Sequence, residues 1–357
     1  MKGEGGRMKA GSSMSMRRTV TIAAVQLEAG VAPWADRLAR AQPWIEQAAQ
    51  SGAQLIVLPE LFNLGYAYTD DNYARAETLA GKTVTWLKAQ AARWQVHLAG
   101  SLLLRDAGEI YNALLLIAPD GRVWRYDKNY PWGWERAYFR ESHAITIART
   151  TLGDIGLLLC WDVAHPALWQ RYAGQVDLMV VSSCPPDMSL PRYYLPDGTT
   201  FTFDNLGPLL ARLKGGGWRV FGPNVQRHAA WLGVPVALAA ACGTLDTAIP
   251  NGRGSLLTML PLAPRLIKHW PRADRLRLTC DLIDATRIVD ARGVVLSAMT
   301  DQAEGYALAQ VTLAAAKPHP IGPRPPRAAS WLTYFASDVA LPGLMRGYYR
   351  RRMAQRR

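Results

Sequence analysis

Between Val20 and Ser182 the chain alternates short apolar runs of strand length with segments whose apolar residues recur at helical spacing. Val20–Leu27 is rich in β-formers, and Trp34–Gln50 places Leu38, Ala41, Ile45 and Ala48 on one helical face before Gly52 ends it. Gln54–Leu58 is a short buried strand closed by Pro59, and Thr83–Trp94 is a helix entered from Gly81. Val96–Leu104 is a strand, while Tyr111–Ile117 and Arg122–Tyr126 make a hairpin around Pro119-Asp120-Gly121. Strands at Ala144–Ala148 and Ile155–Leu159, a helix from Pro166 to Tyr172 and a strand at Asp177–Ser182 complete the series. Strands and helices alternating in this way predict a layered α/β domain with strands buried on at least one face.

The second half is less regular. Residues 185–217, rich in Pro, Gly and Tyr, form one long excursion, and 244–281, apolar and basic together, form another. Between them Asn224–Leu232 is helical and Pro235–Ala241 is a buried strand; Thr286–Val289 and Val294–Ala298 flank a turn, and Tyr306–Leu313 is the last strand. The division is a disordered leader over 1–18, a single domain over 19–316 and a stiff Pro-rich linker with a basic arm over 317–357.

Charge narrows the partners. The net charge is +13. Residues 1–18 carry five cations against Glu4, for +4, and Arg346, Arg350, Arg351, Arg352, Arg356 and Arg357 carry +6 with no acid, so the body holds only about +3. A nearly balanced body argues against nucleic acid. The basic end suits an anionic membrane surface or a partner subunit, and the arm's Trp331, Tyr334, Phe335, Leu341, Leu344 and Met345 suit either. A dimer arm is the preferred reading. Four cysteines with no CxxC pair and no zinc spacing point to a reduced, cytoplasmic setting without a metal. No apolar run reaches the 18 residues a spanning helix needs.

Three residues stand just past strand ends, where side chains reach the edge of a sheet. Cys160 follows Gly156-Leu-Leu-Leu159 and precedes a helix signal, a position where backbone N–H groups favour a thiolate and a developing oxyanion; a plain buried cysteine is the alternative. Glu60 follows Leu58-Pro59, where partial desolvation raises a carboxylate toward a useful base, against a surface or capping role. Lys128 follows Tyr126-Asp127 and would lower a neighbouring thiol's pKa and hold an oxyanion, against a solvated lysine beside Asp127.

Taken together, Leu58-Pro-Glu-Leu-Phe-Asn-Leu-Gly-Tyr66, Tyr126-Asp-Lys128 and Gly156-Leu-Leu-Leu-Cys-Trp-Asp-Val-Ala-His-Pro166 resemble the three ordered motifs of the nitrilase, or carbon–nitrogen hydrolase, superfamily. The resemblance runs from Thr19 to Pro166 and resumes weakly over 177–183, 224–243 and 286–313. It implies an αββα sandwich that dimerises to αββααββα, with no cofactor. It also implies Glu60 as base, Cys160 as nucleophile and Lys128 as oxyanion stabiliser, acting through a thioester. Glu135, seven residues past Lys128, matches a second carboxylate that positions lysine and substrate; a salt bridge to Arg136 or Arg140 is its other reading. Trp161 would offer its backbone N–H to the oxyanion, and Tyr66, Trp134, Ser183 and Cys184 would contact substrate.

Departures from the family pattern bear on the substrate. His165-Pro166-Ala167 replaces the usual Phe-Pro-Glu, with His165 packed on the sheet rather than paired to the cysteine, and Ser182-Ser183-Cys184-Pro185 replaces a small residue followed by Trp. The two excursions are long enough to wall or lid a site. The resemblance therefore implies hydrolysis of a non-peptide amide, carbamoyl or nitrile group. Two alternatives are an N-acyltransferase of the same superfamily at a membrane surface and a non-catalytic scaffold on the same fold. The partners implied are a small amide or nitrile substrate and a second copy of the chain, with peripheral contact to an anionic membrane as the further reading.

Overall fold

The computed structural model describes residues 18–206, 214–261 and 263–356. Apart from Arg18, the expected leader lies outside them, as do parts of both excursions. The strands are β1 (Arg18–Glu28), β2 (Leu55–Val57), β3 (His97–Asp106), β4 (Glu109–Ile117), β5 (Val123–Asp127), β6 (Ile147–Thr150), β7 (Gly153–Leu159) and β8 (Leu178–Ser183). They continue with β9 (Arg192–Tyr194), β10 (Thr200–Thr202), β11 (Val236–Cys242), β12 (Thr244–Ala248), β13 (Arg277–Asp281), β14 (Arg287–Val289), β15 (Val295–Ala298) and β16 (Gly305–Leu313).

Twelve of these strands make two packed layers. One runs β5-β4-β3-β2-β1-β16, the other β6-β7-β8-β11-β14-β15. The layers join where the end of β1 meets the end of β11, Leu27 opposite Ala241 and Glu28 opposite Cys242. Side-chain alternation explains the layering. Val20, Ile22 and Ala24 of β1 face the space between the sheets, and Ala23, Val25 and Leu27 face the outer helices Trp34–Gln50 and Lys82–Trp94. β4 repeats the pattern, with Leu114 and Leu116 inward and Ala113, Leu115 and Ile117 outward. The other outer layer is built from helices Pro166–Tyr172 and Pro223–Leu232, whose Leu168, Trp169, Val225 and Ala229 join the central core. The architecture is the αββα sandwich the motifs implied, and the expected hairpins are β4–β5 and β14–β15.

The excursions differ from expectation. They hold a second, four-stranded sheet in the order β10-β9-β13-β12 and a helix at Gly252–Met259. Their strand signal is hard to read because the strands are short: Arg192–Tyr194 and Thr200–Thr202 have three residues each and pair with one another, and Arg192–Tyr194 also pairs across to Arg277–Asp281 in the other excursion. The C-terminal arm is helical over most of Trp331–Ala354, with one wide turn at Ala336–Ala340. It lies on its own chain. Tyr349 donates to Glu109 at 2.6 Å and accepts from the Ile110 N–H at 3.0 Å, while Arg346 reaches Glu141 at 2.6 Å and Arg352 reaches Asp70 at 3.1 Å. Part of the basic end is therefore matched by acids of the body. No helix among the described residues is long and apolar enough to cross a membrane.

Candidate active site

The three strand-end residues converge. Glu60 stands three residues past β2, in a turn where Leu61 takes a left-handed φ of 50° and donates its N–H to Ser101 at 2.8 Å. Gly65, at φ 77°, closes the same turn against the carbonyl of Gly30, leaving no room for a side chain, which accounts for the glycine of the first motif. Lys128 leaves β5 with its N–H on the carbonyl of Asn112 at 3.0 Å. Its Nζ lies 2.7 Å from Glu60 Oε1 and 2.7 Å from Glu135 Oε2, with all three side chains buried. Glu60 Oε1 also accepts from Asn112 Nδ2 at 2.7 Å, and Oε2 from the Cys184 N–H at 2.9 Å. Glu135 accepts from the Trp132 N–H at 2.6 Å and from the Tyr66 hydroxyl. It faces Lys128 rather than Arg136 or Arg140.

Cys160 opens a short 3-10 turn directly after β7 with φ 46°. A non-glycine residue in that region costs roughly 1–2 kcal/mol, so the surroundings must hold it there. Asp162 does so, accepting from the N–H groups of Leu159 at 3.1 Å and Tyr130 at 2.7 Å and from the Tyr126 hydroxyl at 2.7 Å. The Cys160 thiol lies near Glu60 and Ser183, and the Glu60 and Cys160 groups influence one another's protonation.

Burial and charge set the protonation states. Burial pushes Glu60 up to about 7, with Glu135 adding to the rise and Lys128 opposing it. Burial disfavours the Lys128 cation, but Glu135 and Glu60 outweigh it and hold its pKa well above the ordinary value. Burial, reinforced by Glu60, pushes the Cys160 thiol well up despite Lys128. This corrects the expectation of a lysine-stabilised thiolate: the resting cysteine is a neutral thiol next to a base of near-neutral pKa.

A cavity of about 370 Å³ opens over Cys160. Tyr66, Trp134, Glu135 and Trp161 line it as expected of substrate-contacting residues. Ser183 and Cys184 do not: Cys184 is fully buried behind the thiol and serves Glu60 through its backbone N–H. The cavity is walled by both excursions and by the arm, through Met188, Met259 and Leu332 among others. The Trp134 indole donates to Ser255 at 3.1 Å, which ties the second excursion to the Lys128–Glu135 turn.

His165 is a latch. Its ring stacks on Tyr130 with centroids 3.5 Å apart, and its Nε2 meets Asp338 of the arm at 3.0 Å. Asp338 also accepts from the Trp161 indole at 3.0 Å, so the residue after the nucleophile is fastened to the arm. Asn112 and Asp338 escaped the reading of the sequence. Each had a signal: Asn112 is the polar residue of an otherwise apolar strand run, and Asp338 is the lone acid of an aromatic arm.

Residues 21–196 match the family profile described as Carbon-nitrogen hydrolase. This chain belongs to the nitrilase superfamily. An omega-amidase of Danio rerio is 30% identical over 153 residues, covering 39% of this chain and 54% of that protein. A nitrilase of Pyrococcus abyssi is 28% identical over 152 residues, covering 41% and 58%. The chain thus spans a little over half the length of these curated relatives. Its fold is shared with an amidase from Nesterenkonia sp. AN1, solved as a cysteine-to-alanine variant with butyramide, at a TM-score of 0.59 and 18% identity over 82% of this chain and 90% of that one. A superfamily protein from Xanthomonas campestris with an arsenic adduct in its active site gives a TM-score of 0.58 and 18% identity over 83% and 91%. Within the superfamily frame, the second excursion and the arm, which complete the cavity, fall beyond the matched stretch.

Proposed function

We propose that the protein hydrolyses a non-peptide amide through a Cys160 thioester. The observation that carries this reading is the buried cluster in which Lys128 bridges Glu60 and Glu135 while Glu60 meets the thiol of the strained Cys160. The omega-amidase relative and the butyramide-bound neighbour favour an amide over a nitrile.

The chemistry follows from the protonation states. Cys160 Sγ attacks the carbonyl carbon as Glu60 takes its proton, so the nucleophile forms during attack rather than before it. Lys128 and the Trp161 N–H meet the negative charge that develops on oxygen. Glu60 returns the proton to the leaving nitrogen, the C–N bond breaks, and ammonia or an amine departs from the thioester. Water then attacks with Glu60 again as base, the acid is released and the thiol recovers its proton. Glu135 holds Lys128 and fixes the cation's position throughout.

The test is peptide mapping after brief iodoacetamide treatment, joined to ammonia release from simple amides. Cys160 lines the cavity and Cys184, Cys242 and Cys280 do not, so Cys160 is modified first in wild type and far more slowly in Glu60→Gln. Cys160→Ala keeps the fold and loses turnover. Full activity in that variant would sink the mechanism.

A further inference from the structure

The chamber above the catalytic cluster is walled in part by segments that the family profile does not match, the second excursion and the arm, and it carries information of its own. Its walls come from four places: the Trp132–Trp134 turn, the first excursion through Met188, the second through Met259 and the arm through Leu332. Among the described residues that line it there is no arginine, lysine or histidine, and the one charged group is Glu135, already held by Lys128. A substrate with a carboxylate at its far end would find no cation there and would give up its hydration for nothing. An uncharged apolar group loses nothing on entering and gains from every methylene taken out of water. The volume of about 370 Å³ lies in the range that accepts a drug-sized ligand, roughly 300–1,000 Å³, so a two- or four-carbon amide would leave most of it empty. The apolar lining also continues to the mouth, where Trp331 and Phe335 belong to the cavity wall yet are 74% and 49% exposed. Exposed aromatic residues at the rim of an apolar chamber suit a group that reaches from the thiol to the surface.

We propose that the substrate is an uncharged amide with a large apolar acyl group, which fills the chamber between the excursions and the arm. The proposal rests on the amide-hydrolase reading of Cys160. It concerns only what occupies the chamber, and binding can be measured without turnover.

Two measurements test it together. The first follows the tryptophan fluorescence of the full chain carrying Cys160→Ala as octanamide or glutaramate is added, since Trp132, Trp134, Trp161 and Trp331 line the cavity. Octanamide is expected to bind at least tenfold more tightly than glutaramate, whose chain ends in a carboxylate. The second compares kcat/KM of wild type for acetamide, butyramide and octanamide. About fourfold per buried methylene predicts a rise on the order of 100-fold from butyramide to octanamide. Phe335→Arg, which places a cation at the mouth on an already exposed side chain, should narrow the gap between octanamide and glutaramate. Tighter binding of glutaramate, or equal binding of both, overturns the proposal, as does a flat response to chain length. Selective octanamide binding with no turnover of any amide upholds the chamber's preference and refutes the hydrolase reading instead.

Discussion

At the scale of single residues, the site is organised around one proton. Glu60 must be ionised to accept it from Cys160, and burial places that ionisation at about 7. Below that pH the carboxyl already holds a proton and cannot act as base, so kcat/KM falls as pH drops through 7 and levels off above it; a pH–rate profile shows this limb directly. Glu60→Gln removes the limb and lowers kcat/KM by about 100-fold or more. Asn112 offers a finer test, because its Nδ2 donates to the ionised form of Glu60 at 2.7 Å. A hydrogen bond to a charged group is worth roughly 1.5–3 kcal/mol, so Asn112→Ala should move the acid limb upward by about 1–2 pH units. A merely structural asparagine would lower stability and leave the limb in place. The motifs made Glu60, Lys128 and Cys160 legible because each follows a strand whose end fixes where it points. Asn112 sits within a strand, and only the pairing of β4 with β3 and β5 turns it toward Glu60, a relation that no local pattern carries.

At the scale of elements, the strands and helices of the sandwich were legible because both faces of β1 and β4 are buried and alternate with period two. The excursions were not, since β9 and β13 pair across some eighty residues and three-residue strands leave too short a pattern to see. An aromatic helix with a basic end looks the same in sequence wherever it docks, so the arm's contacts with the body are not legible there. Its docking place depends on a few contacts, chiefly Asp338 on Trp161 and His165, Tyr334 on the Ala164 carbonyl and Leu341 on Gly133, whose left-handed φ of 39° disfavours a side chain and leaves the Leu341 tip in close contact. Asp338→Ala removes both contacts of one carboxylate. Hydrogen exchange over 331–340 should quicken by on the order of 10-fold or more, with the strands of the sandwich unaffected. Equal protection in the variant would show that the apolar contacts alone hold the arm.

At the scale of the molecule, the chain divides its labour between a sandwich that holds the chemistry and an annex that shapes what reaches it. Glu60, Lys128, Glu135 and Cys160 hang from the sandwich strands and the turns just beyond them, and they fall within the stretch the family profile matches. The second excursion and the arm fall outside that stretch, yet they line the cavity and close a second apolar core through Leu256, Met345 and Tyr349. Reactivity and selectivity should therefore separate on truncation. Ending the chain after Ala329 removes Leu332 and Leu341 from the cavity wall and the acceptor of the Trp161 indole, but no member of the Glu60–Lys128–Cys160 cluster. The shortened protein should keep the far-ultraviolet dichroism of the sandwich and still place iodoacetamide on Cys160, at an equal or higher rate because the cavity is open on one side. Its turnover of small amides should drop as Trp161 loses its tether, and it should no longer distinguish long apolar amides from short ones. If Cys160 labelling were lost while the sandwich stayed folded, the arm would be part of the chemistry itself and the division would fail.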